Sequence, residues 1–115
     1  MPSSIYSVTV DCADPASLAR FWAEVLGFKV TFEEDDEVAI EAPDERGPAV
    51  LFLRVPDAKT VKNRLHFDLN PDDQRAEVAR VLALGAREVD IGQKEVSWVV
   101  LADPEGNEFC ILTPR

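Results

Sequence analysis

The chain's only histidine, His66, lies in the stretch KNRLHFDL at residues 62–69. Polar and apolar residues alternate here, so Arg64, His66 and Asp68 are predicted to share one face of a strand. Histidine is suited to proton transfer near neutral pH when a carboxylate orients it, and Asp68 lies two residues along the same face. The alternative is that this row forms hydrogen bonds with neighbouring strands. In both cases we expect His66 to line a pocket.

Two further side chains could take part in chemistry or binding. Phe109 and Ile111 are predicted to face the core, so Cys110 between them should point to the opposite side. A thiol within hydrogen-bonding reach of His66 could act as a nucleophile, but a strand cysteine is more often an inert, small apolar residue, which is the role we favour. Trp98 is predicted either to form the floor of a pocket for a planar ligand or to seal a dimer interface.

Composition limits the possible function. The chain has 115 residues, which suits a single domain spanning residues 1–115. Lys and Arg total 12 against 22 for Asp and Glu, and a net charge of -10 argues against a nucleic-acid partner. Charges interrupt every apolar run, which argues against a membrane partner. With only Cys12 and Cys110, and no leader-like N-terminus, we expect a cytoplasmic protein.

The first half of the sequence predicts one strand, one helix and three more strands. The helix is expected from Asp14, a capping residue followed by Pro15, to Leu26, with Gly27 ending it. The apolar stripe of this helix includes Trp22, which we assign to the core. The strands are predicted at residues 5–11, 28–32, 38–42 and 49–55, and a polar linker follows at 56–63.

The second half repeats this order of elements. A strand at residues 64–69 precedes Asn70-Pro71, which is predicted to open a helix ended by Gly85. The expected apolar stripe of this helix consists of Val78, Val81, Leu82 and Leu84. Three strands are predicted after it, at residues 87–89, 97–101 and 108–112.

The two halves therefore predict an α+β fold of two βαβββ repeats, at about residues 5–55 and 64–113. Ser7 and His66 are 59 residues apart, as are Gly47 and Gly106, so two separate positions give the same repeat length. Each helix should cover one sheet face, leaving helices on the outer face of a cupped mixed β-sheet. Polar residues at matching positions of the first strands suggest that the free faces line a partly solvated concavity.

Three stretches resemble the vicinal oxygen chelate superfamily, which includes glyoxalases, bleomycin-resistance proteins and extradiol dioxygenases. They are DPASLARFWAEVLGF at residues 14–28, KNRLHFDL at 62–69 and ADPEGNEFCIL at 102–112. The similarity is greatest to the glyoxalase-like domain subgroup, and the DPEGN turn before the last strand is its most specific part. The resemblance implies paired βαβββ modules forming a cupped sheet, a ligand or metal site inside the cup, and a homodimer.

In metal-dependent members of the superfamily, four ligands come from the first and last strands of the two modules. The resemblance places these positions at Ser7, Leu51, His66 and Cys110. Leu51 has no donor atom, Ser7 is a poor ligand for divalent metals, and Cys110 stands where a glutamate is expected. We therefore expect that the usual metal site is lacking and that no cofactor is bound.

A non-standard metal site is the alternative. His66 and Cys110 could supply two ligands, and Asp68 or Glu108 could supply a third if strand curvature brings it inward. This set contains one histidine, whereas non-haem iron enzymes use two histidines and one carboxylate.

These observations predict a glyoxalase-like protein that binds a small organic molecule of unassigned identity. An enzyme of this kind would be a lyase, isomerase or dioxygenase, with His66 as the best candidate catalytic residue; a non-enzymatic member would sequester a drug or metabolite. A module whose cavity is filled by its own side chains is the third alternative. The residues predicted to bind the ligand are Ser7, Leu51, Arg64, His66, Asp68, Trp98 and Cys110.

Overall fold

The computed structural model describes residues 2–90 and 92–115. They form two compact units, one ending at Ala58 and the other covering Lys59–Arg115. The division falls within the linker predicted for residues 56–63, so each unit contains one predicted repeat. Among the described residues, no helix is long and apolar enough to cross a membrane.

The first unit has one helix and a four-stranded mixed sheet with the strand order β1-β4-β3-β2. Strands β1 and β4 are parallel, and the other neighbours are antiparallel. Its elements are β1 (Ser7–Cys12), α1 (Pro15–Leu26), β2 (Lys29–Glu33), β3 (Glu37–Glu41) and β4 (Ala49–Arg54). Each predicted strand of this half is confirmed, with ends that differ by a few residues.

Helix α1 begins and ends as its sequence predicts. The Asp14 side chain accepts a hydrogen bond from the Ser17 amide, and Gly27 closes the helix with a φ of 67°. The apolar stripe packs on β3 and β4 of the same unit. Trp22 is 2% exposed and meets the Phe21 ring edge-on, so its assignment to the core is confirmed.

The second unit repeats this topology, with the strand order β5-β8-β7-β6. Strands β5 and β8 are parallel, as β1 and β4 are. The elements are β5 (Asp68–Leu69), α2 (Gln74–Ala83), β6 (Arg87–Glu88), β7 (Val99–Ala102) and β8 (Glu108–Ile111). The predicted α+β fold of two βαβββ repeats is therefore confirmed, and the four strands of each repeat form a sheet of their own.

The strand registers also confirm the repeat length. Thr9 is paired with Leu51 in the first unit, and Asp68 is paired with Cys110 in the second. Both members of the second pair lie 59 residues after their counterparts in the first. Equivalent positions in the two units can therefore be compared directly.

The strand predicted at residues 64–69 is wrong over most of its length, because only Asp68–Leu69 joins the sheet ladder. Arg64 and Leu65 form a bend instead. Leu65 is 87% exposed, whereas the alternation of the sequence predicts that it faces the core. The cause lies at Asn63, whose amide donates to the Glu108 carboxylate and whose side chain donates to the Glu108 carbonyl. These bonds hold the chain near β8 without extending β5.

The predicted start of the second helix is also wrong. Helix α2 begins at Gln74, and the cap is Asp73, whose side chain accepts from the Ala76 amide at 3.0 Å. Asn70 cannot serve as the cap because its side chain bonds to the backbone of Arg115.

The predicted apolar stripe of α2 holds only in part. Val81 is completely buried, whereas Leu84 is 36% exposed and caps the end of the helix. Gly85 follows with a φ of 122°, a conformation that favours glycine, so the predicted stop is confirmed.

The DPEGN turn is built around a buried carboxylate. Asp103 is 2% exposed, and its Oδ1 accepts hydrogen bonds from the amides of Glu105 and Asn107. Gly106 completes the turn with a φ of 88°. This motif therefore holds the connection between β7 and β8, which places the start of β8.

Candidate functional site

The second unit contains a pocket of about 740 Å³ beside the β5–β8 pair. Its wall combines an apolar part, formed by Trp98 and Leu112, with several polar and charged side chains. The residues that line it are His66, Asp68, Gly92, Gln93, Ser97, Trp98, Cys110, Leu112 and Arg115. This volume lies within the range of roughly 300–1,000 Å³ that is typical of small-molecule sites.

Parallel pairing of two short strands places a thiol beside a carboxylate in this pocket. Asp68 of β5 and Cys110 of β8 are register partners. Two backbone bonds hold the pair, from the Cys110 amide to the Phe67 carbonyl and from the Leu112 amide to the Leu69 carbonyl, both of 2.9 Å. Because Phe109 and Ile111 are 1% and 0% exposed, the alternation of β8 turns Cys110 to the opposite face, as predicted.

His66 completes a compact cluster with these two residues. Its Nε2 lies 3.2 Å from Asp68 Oδ1. One potential ligand atom each from His66, Asp68 and Cys110 lie within 4.8 Å of one another. The side chains of His66 and Asp68 are 43% and 53% exposed, whereas Cys110 is buried at 6%. The cluster therefore has a buried thiol and two side chains that solutes can reach.

The surroundings of Cys110 disfavour a reactive thiolate. Burial raises the pKa of the thiol, and the negative charge of Asp68 and a hydrogen bond to that carboxylate raise it further; the charge of Lys62 acts in the opposite direction. A thiol with a raised pKa carries little thiolate at neutral pH. This agrees with the expectation that Cys110 lines the pocket without acting as a nucleophile.

Two side chains that the sequence analysis did not assign to the site, Gln74 and Asn70, form hydrogen bonds to the backbone of residues that line the pocket or adjoin them. Gln74, at the start of α2, donates to the carbonyls of Ser97 and Ile111 at 2.8 and 3.0 Å. Asn70 accepts from the Arg115 amide at 3.0 Å and donates to the Arg115 carbonyl at 3.2 Å. Polar residues next to the Asp73 helix cap were the available signal, because such residues often bond to nearby backbone.

The structure brings together four of the seven residues predicted to bind a ligand, namely His66, Asp68, Trp98 and Cys110. Arg64 lies outside the pocket lining and is exposed. Ser7 lies on β1 and Leu51 on β4, both in the first unit, and their part in the site stays a prediction.

Glu108 is not part of this cluster, although it was one of two candidates for a third ligand. Its carboxylate is 3.1 Å from Lys59 Nζ and accepts from the Asn63 amide at 3.2 Å. It lines a separate depression of about 540 Å³ together with Lys59 and Arg87. Asp68 is therefore the carboxylate that stands beside His66 and Cys110.

The sequence model of the family described as "Glyoxalase-like domain" matches residues 7–112, which is nearly the whole chain. The chain belongs to the glyoxalase-like domain family. Comparison of this glyoxalase-like protein with curated protein sequences finds no match.

Solved structures of the glyoxalase and bleomycin-resistance superfamily share the fold of this glyoxalase-like protein. A glyoxalase/bleomycin resistance protein/dioxygenase family enzyme from Burkholderia phytofirmans PsJN is 18% identical, with a TM-score of 0.74 and coverage of 98% of this chain and 100% of that chain. The fosfomycin resistance protein FosX from Listeria monocytogenes, solved with Mn(II) and dihydroxypropylphosphonic acid, is 14% identical, with a TM-score of 0.76 and coverage of 100% and 93%.

A bleomycin-binding protein from Streptomyces verticillus, solved with copper(II)-bleomycin, is 17% identical, with a TM-score of 0.64 and coverage of 100% of both chains. At these identities the comparisons establish the fold, and the pocket itself must support any statement about function.

Proposed function

We propose that this protein binds a small organic molecule in the pocket of its second unit. The observation that supports the proposal is the mixed lining of the pocket, which combines the apolar side chains of Trp98 and Leu112 with the polar side chains of His66, Asp68 and Arg115. Trp98 is 40% exposed, so a large aromatic surface faces the solvent at the pocket. An exposed aromatic ring beside convergent polar groups is typical of a ligand site.

The pocket favours a ligand with two parts. A planar or aromatic part would pack against Trp98 and Leu112, where burial of apolar surface supplies most of the binding energy. An oxygen-bearing part would accept hydrogen bonds from Arg115 or His66, because both side chains can donate. The names of the bleomycin-binding and fosfomycin resistance proteins support this class of ligand, because both link the fold to small molecules.

Screening by thermal shift tests the proposal. Planar aromatic and dicarbonyl compounds should include some that raise Tm, because a ligand at 100 times its Kd stabilises the fold by about 2.7 kcal/mol. Trp98→Ala should abolish the shift. Val96→Ala is the matched control, since Val96 is an exposed apolar residue of the same segment that does not line the pocket. Equal shifts in both variants, or no active compound in a broad screen, would contradict a pocket built on Trp98.

Mass spectrometry of the recovered compounds separates a binding protein from an enzyme. A sequestering protein returns its ligand unchanged, as a drug-resistance role would require. A lyase, isomerase or dioxygenase would convert the ligand, and His66→Ala should then abolish turnover. Burial and the Asp68 charge raise the pKa of the Cys110 thiol, which disfavours a thiolate nucleophile at that residue, so any turnover is assigned to His66.

A cytoplasmic location and a homodimer remain predictions of the sequence and of the family resemblance. The chain has two cysteines, Cys12 and Cys110, which are too few for the disulfide framework of a secreted protein, and this is why a reducing compartment is expected. Sedimentation equilibrium on the purified protein would test the dimer, and a mass equal to that of one chain at micromolar concentration would refute it.

A further inference from the structure

The donor atoms of the pocket cluster have separations close to those of a zinc site. His66 Nε2 and Asp68 Oδ1 are 3.2 Å apart, and potential ligand atoms of His66, Asp68 and Cys110 all lie within 4.8 Å of one another. Zinc bonds of about 2.0–2.3 Å in tetrahedral geometry place donor atoms roughly 3.3–3.6 Å apart. The His66–Asp68 separation is near this range, and rotation of the two side chains would have to shorten their separations from the Cys110 sulfur by up to about 1 Å to bring the three donors to one ion.

The scaffold favours such an adjustment. The strand register holds the backbones of Asp68 and Cys110 side by side, and a carboxylate oxygen and the thiol sulfur lie within 4.8 Å of each other. The side chains of His66 and Asp68 are about half exposed, so they can rotate without disturbing the core. The buried Cys110 supplies one donor, and the two exposed side chains can turn toward an ion bound to its sulfur.

The chemical types of the three ligand atoms indicate which metal ion the site prefers. A thiolate, an imidazole and a carboxylate together suit Zn²⁺, whereas Mg²⁺ and Ca²⁺ prefer oxygen ligands alone. This set differs from the one that the family resemblance implies, because Leu51 offers no donor and Ser7 is a poor one. The usual four-ligand site of metal-dependent relatives therefore does not fit this chain.

We infer that His66, Asp68 and Cys110 form a three-ligand site for a thiophilic divalent cation, with Zn²⁺ as the preferred ion. On binding, the Cys110 thiol gives up its proton to solvent and its sulfur forms the bond to the metal. Asp68, which lies outside the four positions implied by the family, is the third ligand. The ion would bind in the same pocket as the proposed organic ligand. The metal site therefore rests on the proposed function in one respect, because both need a pocket that is open to solutes.

Titration of the metal-free protein with Zn²⁺, followed by calorimetry, tests the site without any organic ligand. We expect one tight site per chain. Removing a residue that only hydrogen-bonds to a metal ligand typically lowers metal affinity by about 10- to 100-fold. Cys110→Ser and Asp68→Asn each remove a direct ligand, so each should weaken Zn²⁺ binding at least about 100-fold. Cys12→Ser and Asp72→Asn are matched controls, because Cys12 is the other buried cysteine and Asp72 is an exposed carboxylate of the same unit. Both should keep the affinity of the unaltered protein.

Cobalt substitution gives a readout that needs no variant. Co²⁺ bound by Cys110 should show an intense thiolate-to-metal charge-transfer absorption, whereas Co²⁺ bound by surface carboxylates alone should not. Absence of this band, or Zn²⁺ affinity that Cys110→Ser and Asp68→Asn leave unchanged, would overturn the inference. A variant that loses its circular-dichroism signal has unfolded and cannot test the site. The cobalt measurement on the unaltered protein then decides.

Failure of the metal site and failure of the proposed function can be told apart. The thermal-shift screen is run twice, on chelator-treated protein and on protein with added Zn²⁺. Organic ligands that bind the chelator-treated protein support the proposed function even if Zn²⁺ does not bind. Zn²⁺ binding with no organic ligand in either screen supports the metal site and contradicts the proposed ligand.

Discussion

Two carboxylates on the neighbouring strands β5 and β8 have different partners and therefore different roles. Asp68 Oδ1 lies 3.2 Å from His66 Nε2, and the Asp68 side chain remains 53% exposed. Glu108 is 10% exposed and bonds to Lys59 and to the Asn63 amide. We assign Asp68 to the functional site because it is accessible, and Glu108 to stability because its charge is already paired and shielded.

Replacement of Glu108 by Gln should lower the free energy of unfolding by about 1–3 kcal/mol at neutral pH, because a charged, largely buried hydrogen-bond acceptor is lost. Burial alone would raise the pKa of Glu108, but hydrogen bonds from backbone amides and from Lys59, together with the Lys59 charge, lower it below its ordinary value. Because the folded pKa is lowered, the stabilisation is complete above the unfolded value and is lost as the pH falls through the folded value.

Chemical denaturation from about pH 7 to about pH 3 checks the Glu108 prediction. The difference in unfolding free energy between the unaltered protein and the variant should shrink toward the acid end. Glu95→Gln is the matched control, since Glu95 is exposed in the same unit. A difference that stays constant with pH would show that the charge of Glu108 does not contribute.

At the scale of elements, the sequence predicts the first unit better than the second. Helix α1 has a cap at Asp14, a proline at its first position and Gly27 at its end, so local signals and packing agree. Before β5 the alternation of apolar and polar residues is present, but the bonds of Asn63 to Glu108 decide the local structure. Contacts between residues 45 positions apart leave no local signal, so the sequence alone predicts the strand at 64–69 too long.

The candidate site also contains residues that the sequence predicts and residues that depend on contacts between distant parts of the chain. Strand alternation puts His66 and Asp68 on one face and turns Cys110 away from the core, and the family resemblance places His66 and Cys110 in one cup. The contributions of Gln74 and Arg115 could not be predicted in this way, because they depend on a helix start and a chain segment that only the folded unit brings to the pocket.

Gln74→Ala should destabilise the protein by about 1–3 kcal/mol, since two hydrogen bonds to the carbonyls of Ser97 and Ile111 are lost. It should also weaken binding of any ligand found by thermal shift, because Trp98 follows directly after Ser97 in the chain. Denaturant unfolding and ligand titration measure the two effects. Arg75→Ala, an exposed change on the same helix, should alter neither, and an equal loss in both variants would contradict the positioning role of Gln74.

At the scale of the whole molecule, one scaffold occurs twice, and the imidazole, carboxylate and thiol stand at positions of the second copy where the first has Ser7, Thr9 and Leu51. The register pairs Thr9 with Leu51 in the first unit and Asp68 with Cys110 in the second. Ser7 is the counterpart of His66 at the same spacing of 59 residues. The first unit therefore has the same strand pairing without the imidazole, carboxylate and thiol, which suggests that duplication preserved the fold while the chemistry came to lie in one copy.

The central claim is that the pocket formed by His66, Asp68, Trp98 and Cys110 is the ligand site of this protein. Nuclear magnetic resonance titration of the isotope-labelled protein with a compound from the thermal-shift screen tests it most directly, because each amide reports its own surroundings. We predict that the perturbed amides cluster at residues 66–68, 92–98 and 110–115. Perturbations confined to the other depression, around Lys59, Arg87 and Glu105, or to the first unit, would contradict the claim.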